Sequence, residues 1–110
     1  MTLAAVLALA APTGSAPRAV ELVAKEFRFA PKDVAVQTGD VTFVVRNQGA
    51  IEHNLVVGAL GGSTFAQIAV LEPGETRLIE ATLPAGTYKI YCSLPGHRED
   101  GMVATLRVTP

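Results

Sequence analysis

Tryptophan is absent from this chain, cysteine occurs once, histidine, methionine and tyrosine occur twice each, and phenylalanine occurs four times. So few aromatic faces leave no stacking platform for nucleobases. The formal net charge is -1, with acids and bases interspersed along the sequence. That balance provides neither a basic face for nucleic acid nor a polybasic patch for an anionic membrane. The apolar run from Leu3 to Ala11 is too short to cross a bilayer as a helix, so no stable membrane insertion is expected. At 110 residues the chain is one domain, long enough for a single core. After the first residues it shows no internal repeat, low-complexity tract or linker.

The first sixteen residues read as a leader. The apolar run is followed by Pro12-Thr13-Gly14-Ser15-Ala16, which puts small residues ahead of a cut after Ala16, although no positive charge precedes the run. Residues 1–16 are therefore expected to be a signal peptide or disordered leader, and residues 17–110 the domain. Cys92 is the sole cysteine, so no residue near the cut could carry a lipid. An exported, soluble protein follows, in a periplasm or another extracytoplasmic space such as a thylakoid lumen.

From Ala19 onward the pattern is one of short strands and turns. Val20, Leu22 and Ala24 alternate with polar residues, then the phase shifts so that Phe27 and Phe29 flank Arg28, which predicts a bulge or bend. Further alternating rows occur at Val34 and Val36, at Val41, Phe43 and Val45, and at Arg77, Ile79, Ala81 and Leu83. Turn residues separate them at Pro31-Lys32-Asp33, Thr38-Gly39-Asp40, Asn47-Gln48-Gly49, Glu72-Pro73-Gly74-Glu75 and Pro84-Ala85-Gly86. Gly58 to Thr64 reads as loop, and Phe65 to Leu71 as a short helix or an irregular strand. Seven to eight short strands without a long helix predict an all-β, antiparallel two-sheet sandwich.

The chemistry concentrates in Cys92-Ser93-Leu94-Pro95-Gly96-His97-Arg98-Glu99-Asp100-Gly101-Met102. Four residues separate Cys92 from His97, four more separate His97 from Met102, and Pro95, Gly96 and Gly101 let the backbone curl. A thiolate, an imidazole and a thioether suit Mg²⁺, Ca²⁺ or structural zinc poorly, but they suit copper, whose electron-transfer sites use two histidines, a cysteine and a long axial methionine. The only other histidine is His53. Singly, a buried cysteine or methionine is usually core filler and a histidine usually a hydrogen-bonded side chain. Phase decides otherwise: His53 extends the row of Leu55 and Val57, Cys92 that of Tyr88 and Ile90, and Met102 that of Ala104, Leu106 and Val108. Three core-facing rows then end in ligands that converge at one end of a sandwich.

Over roughly Val20 to Val108 the chain resembles the cupredoxins, small blue copper proteins of the plastocyanin, azurin and auracyanin kind. The likeness rests on Tyr88-Lys89-Ile90-Tyr91-Cys92, on the Cys-x4-His-x4-Met loop, on the His53-Asn54 pair, and on Asn47 and Gly49 ahead of it. The four-and-four spacing is closest to the auracyanin type and departs from plastocyanin. The resemblance implies a Greek-key sandwich holding one copper on His53, Cys92, His97 and Met102. It implies outer contacts in which Asn54 pins the ligand loop through Ser93, a tyrosine corner at Tyr88, and a Tyr91 similar to the remote electron-entry tyrosine of plastocyanins.

A fully coordinated site leaves no open position for substrate, and both histidines are used, so no enzyme is expected. The expected role is a soluble carrier of single electrons that meets redox partner proteins transiently, as a monomer. The alternative is a copper-binding or copper-delivery module. His97, in a short loop, is the ligand whose edge reaches the surface, and Leu94, Pro95 and Gly96 would surround it with a small apolar collar where partners dock.

Overall fold

The computed structural model describes residues 18–110, so the leader expected over residues 1–16 lies outside the described residues. Those residues form nine strands: β1 (Arg18–Lys25), β2 (Arg28–Ala30), β3 (Asp33–Gln37), β4 (Gly39–Asn47), β5 (His53–Ala59), β6 (Thr64–Leu71), β7 (Thr76–Leu83), β8 (Gly86–Tyr91) and β9 (Val103–Thr109). They pair into a four-stranded sheet, β2-β1-β4-β7, and a five-stranded sheet, β3-β9-β8-β5-β6. The all-β, two-sheet sandwich is the expected one.

Two details differ from the sequence reading. The phase shift after Ala24 is a full reversal: β1 turns at Glu26-Phe27, across a cis peptide, and returns as β2 with Lys25 opposite Arg28. Of the two alternatives read for Phe65 to Leu71, the irregular strand is the one found: β6 pairs with β5 through register shifts at His53/Leu55 and Val57/Gly58. These additions raise the strand number to nine. The sheets are also mixed, because β3 leaves the first sheet to pair with β9. β4 then returns beside β1 running in the same direction, with Val20 opposite Phe43 and Leu22 opposite Val45. Parallel neighbours need such a crossover, and β2 and β3 supply it.

The alternating rows face each other across the sandwich. Leu22, Ala24, Phe43 and Val45 of the first sheet, and Leu55, Val57, Ile90 and Leu106 of the second, are all fully buried. At the end opposite the ligand loop, the Tyr88 hydroxyl donates to the Pro84 carbonyl, which makes the expected tyrosine corner. Direction fixes the location of the chemistry. β5 runs antiparallel to β8, and β8 antiparallel to β9, so the start of β5, the end of β8 and the start of β9 share one end of the sheet. His53, Cys92 and Met102 occupy those three positions.

Phe43 is fully buried and belongs to the continuous core. Truncating such an aromatic leaves a cavity as well as losing transfer energy. Phe43→Ala is therefore expected to lower the unfolding free energy by about 3–5 kcal/mol, as read by urea denaturation of the metal-free protein.

Candidate metal centre

Cys92 continues β8 by one residue, and its amide donates to the Met102 carbonyl at 3.2 Å. Between them the loop closes on itself. His97 N donates to Leu94 O at 3.1 Å, Asp100 N to Gly96 O at 3.0 Å, Gly101 N to Arg98 O at 3.0 Å, and Met102 N to His97 O at 3.1 Å. Gly96 and Gly101 have φ of 83° and 116°, a left-handed backbone that L side chains adopt at a cost. This network folds His97 back toward the end of β8.

The ligand atoms of His53, Cys92 and His97 lie within 4.8 Å of one another. His53 Nδ1 is 3.3 Å from His97 Nδ1, which is 3.5 Å from Cys92 Sγ. His53, Cys92 and Met102 are fully buried, while His97 is half-buried. The structure thus brings together the two histidines and the cysteine singled out in the sequence. It sets Met102 in the core at the foot of the same loop, tied by backbone hydrogen bonds to both Cys92 and His97. Two nitrogens and a sulfur converging at one end of the core form a soft, borderline donor set that suits a cation between them.

The neighbours of these ligands are already satisfied. Val56 lies opposite Tyr91, so the same register carried two residues further sets Asn54 opposite Ser93. There the strand ladder gives way to a clasp: Asn54 Nδ2 donates to Ser93 Oγ at 2.8 Å, and Ser93 N donates to Asn54 Oδ1 at 2.7 Å. The Asn54 amide also points at Cys92 Sγ, at 3.4 Å. Such a donor stabilises negative charge on the sulfur. Around His97, Pro95 and Gly96 are exposed, whereas Leu94 is half-buried and packs on the core. Phe27 meets the His97 ring edge-on, with centroids 4.9 Å apart.

Two contributors, Phe27 and Glu26, were missed in the sequence, and a third, Asn47, entered there through the family likeness without a contact assigned to it. Asn47, 1% exposed, donates through Nδ2 to the carbonyls of Ile51 and Leu71, each at 2.9 Å, and accepts from Gly49 N at 2.8 Å. It therefore holds the loop that delivers His53. Phe27 was read only as a strand residue. Glu26, at the β1–β2 turn, places Oε2 2.7 Å from His53 Nε2 and accepts from Ala50 N through Oε1 at 2.8 Å. The Ala50 amide, and then the His53 ring, hold the Glu26 carboxyl below the ordinary carboxylate range. Asn47 was legible as a turn residue and through the family likeness; nothing in the sequence marks Glu26.

Comparison with known proteins agrees with this geometry. The family described as a cupredoxin-like domain matches residues 1–104. The copper-resistant cuproprotein CopI of Rubrivivax gelatinosus is 30% identical over 111 residues, covering 84% of this chain and 67% of that protein. Among solved structures, the chain is similar to the dithionite-reduced auracyanin of the photosynthetic bacterium Roseiflexus castenholzii. The TM-score is 0.76 at 26% identity, covering 87% of this chain and 100% of that one. The fold is also similar to auracyanin A of Chloroflexus aurantiacus, described as a "blue" copper protein, with a TM-score of 0.75 at 23% identity over 86% of this chain and 100% of that one.

The Asn54–Ser93 clasp generates a direct test. Outer hydrogen bonds at metal sites are typically worth on the order of 10–100-fold in affinity. Asn54→Ala is expected to weaken Cu(I) affinity within that range in a competition titration, with far-UV circular dichroism unchanged. An affinity equal to the parent would make Asn54 an ordinary strand residue.

Proposed function

Because the chain belongs to the cupredoxin-like family, with one copper ion as its cofactor, we propose that it is a carrier of single electrons and not an enzyme. On this reading His53, Cys92 and His97 would hold the copper strongly, and Met102 would bind it weakly. Bound there, copper supplies a one-electron Cu(II)/Cu(I) couple. Cys92 gives up its thiol proton when metal enters and holds the negative charge against the Asn54 amide.

The observation that carries the proposal is that the ligand atoms of His53, Cys92 and His97 already lie within 4.8 Å of one another, with protein hydrogen bonds around them. Donors held in this way move little when the charge at the site changes. A compromise set of two imidazoles, one thiolate and one thioether serves both oxidation states.

His97 is the ligand that reaches the surface, and its neighbours define the route by which electrons leave. Pro95 and Gly96 are exposed beside it, Leu94 supports them from the core, and Phe27 flanks the ring. A small apolar patch suits a redox encounter, which must form and dissociate quickly. Transient partners therefore dock over Leu94 to His97. Tyr91, half-buried under the Arg98 guanidinium at 4.3 Å, is the rival contact on the sheet face. Among the described residues no helix is long and apolar enough to cross a membrane. A leader over residues 1–16 would export the chain, and we place it outside the cytoplasm as a monomer.

A copper-delivery module is the second reading, and the printed name of the relative CopI, a copper-resistant cuproprotein, favours it. Voltammetry combined with a copper-transfer assay separates the two. A carrier gives fast, reversible one-electron waves and retains its metal against an acceptor chelator. Sluggish waves with ready metal loss would identify a delivery module.

The docking face is tested by Leu94→Glu. Its copper spectrum is expected to be nearly that of the parent, while electron self-exchange slows markedly. Exchange at the parent rate in Leu94→Glu, but not in Tyr91→Ala, would move the exit route to the sheet face.

A further inference from the structure

Behind His53, on the side away from Cys92 and His97, lies the carboxylate of Glu26. Oε2 stands 2.7 Å from His53 Nε2. The histidine is fully buried, and the glutamate side chain is 30% exposed. The other oxygen of the same carboxylate accepts from Ala50 N at 2.8 Å, so the group is held at both ends. The backbone is fitted to this contact. A Cβ on Gly49 would fall inside contact distance of Glu26 Oε2 and 3.0 Å from His53 Nε2, so a side chain there would displace the pair. Glycine at this position is explained by space rather than by turn conformation.

An ionised carboxylate only accepts hydrogen bonds. The proton on a neutral His53 therefore belongs on Nε2, which leaves the Nδ1 lone pair aimed at His97 Nδ1, 3.3 Å away. A wrong tautomer would present an N–H to the metal site and leave two acceptors facing each other at Nε2 and Oε2. The carboxylate also adds negative charge behind the ring, making the imidazole a stronger donor, and this favours the more highly charged metal state. A neutral backbone carbonyl at Nε2 would fix the tautomer equally well but would not supply this charge.

We propose that Glu26 is the positioning residue of the site: its carboxylate fixes the Nε2–H tautomer of His53, aims Nδ1 inward, and lowers the reduction potential. The inference about potential rests on the copper reading above, whereas the inference about tautomer stands on the protein alone.

The experiment has two arms for that reason. In the first, the histidines of the metal-free protein are labelled with ¹⁵N and observed by NMR at alkaline pH. The parent is expected to show His53 protonated at Nε2, and Glu26→Ala a mixture with substantial Nδ1–H. A parent His53 protonated at Nδ1, or an Ala variant whose tautomer is unchanged, overturns the proposal whatever the copper chemistry. In the second arm, the copper forms are compared by voltammetry. Glu26→Gln keeps the size of the side chain but removes the charge and one of the two acceptor oxygens that meet Ala50 N and His53 Nε2, so its potential should rise. Glu26→Ala should lose on the order of tenfold or more in copper affinity, the lower end of outer-contact effects. A Gln variant with the parent potential overturns the charge effect even if the Ala variant does not fold. Failure of the parent itself to cycle reversibly would instead count against the electron-carrier reading, leaving the tautomer result intact.

Discussion

Two imidazole nitrogens 3.3 Å apart and a sulfur 3.5 Å from one of them repel through their lone pairs unless a proton or a cation lies among them. Holding three donors in that relation inside an apolar core is costly, and the surrounding structure meets the cost with backbone hydrogen bonds and close packing. β5, β8 and β9 place His53, Cys92 and Met102 at one end of the sheet because successive strands run in opposite directions. The loop network from Leu94 to Met102 then returns His97 to the same point. The site is a consequence of sheet register as much as of the ligands themselves.

The supporting groups divide between holding and charging. Asn54 and Ser93 continue the β5–β8 register by side-chain bonds where the ladder stops, and the Asn54 amide faces the cysteine sulfur. Asn47 holds the approach to His53 through three hydrogen bonds from one buried side chain. Removing such a group would leave the buried Leu71 carbonyl without this donor, which costs more than the bond itself contributes. Glu26 alone brings a formal charge to the back of a ligand. On the proposed reading, negative charge would reach the centre from Cys92 inside and from Glu26 behind His53, and both would favour the oxidised metal.

Much of this was legible because strands alternate with a period of two. The rows through Leu55, Ile90 and Leu106 are core-facing, and their continuation to His53, Cys92 and Met102 could be followed without knowing which strands are neighbours. Period does not encode direction, however, so the parallel pairings of β1 with β4 and β3 with β9 were not anticipated. β6 stayed open between a short helix and an irregular strand because its bulges against β5 break the alternation, and the glycines ahead of it look like loop. Asn54 and Ser93 were placed by family likeness and then met as expected. Glu26 was invisible for a plainer reason: it precedes His53 by 27 positions, and only the β1–β2 reversal carries it over the ligand. A single acid at a turn carries no spacing from which a partner could be read.

The central claim is that Cys92 binds copper as a thiolate between His53 and His97. Its most direct test is a titration of the metal-free protein with Cu(II), followed by visible absorption. The account predicts an intense thiolate-to-copper charge-transfer band that saturates at one copper per chain and is lost in Cys92→Ser, with the sandwich still folded. Weak absorption in the parent, or an intense band that survives Cys92→Ser, would contradict it.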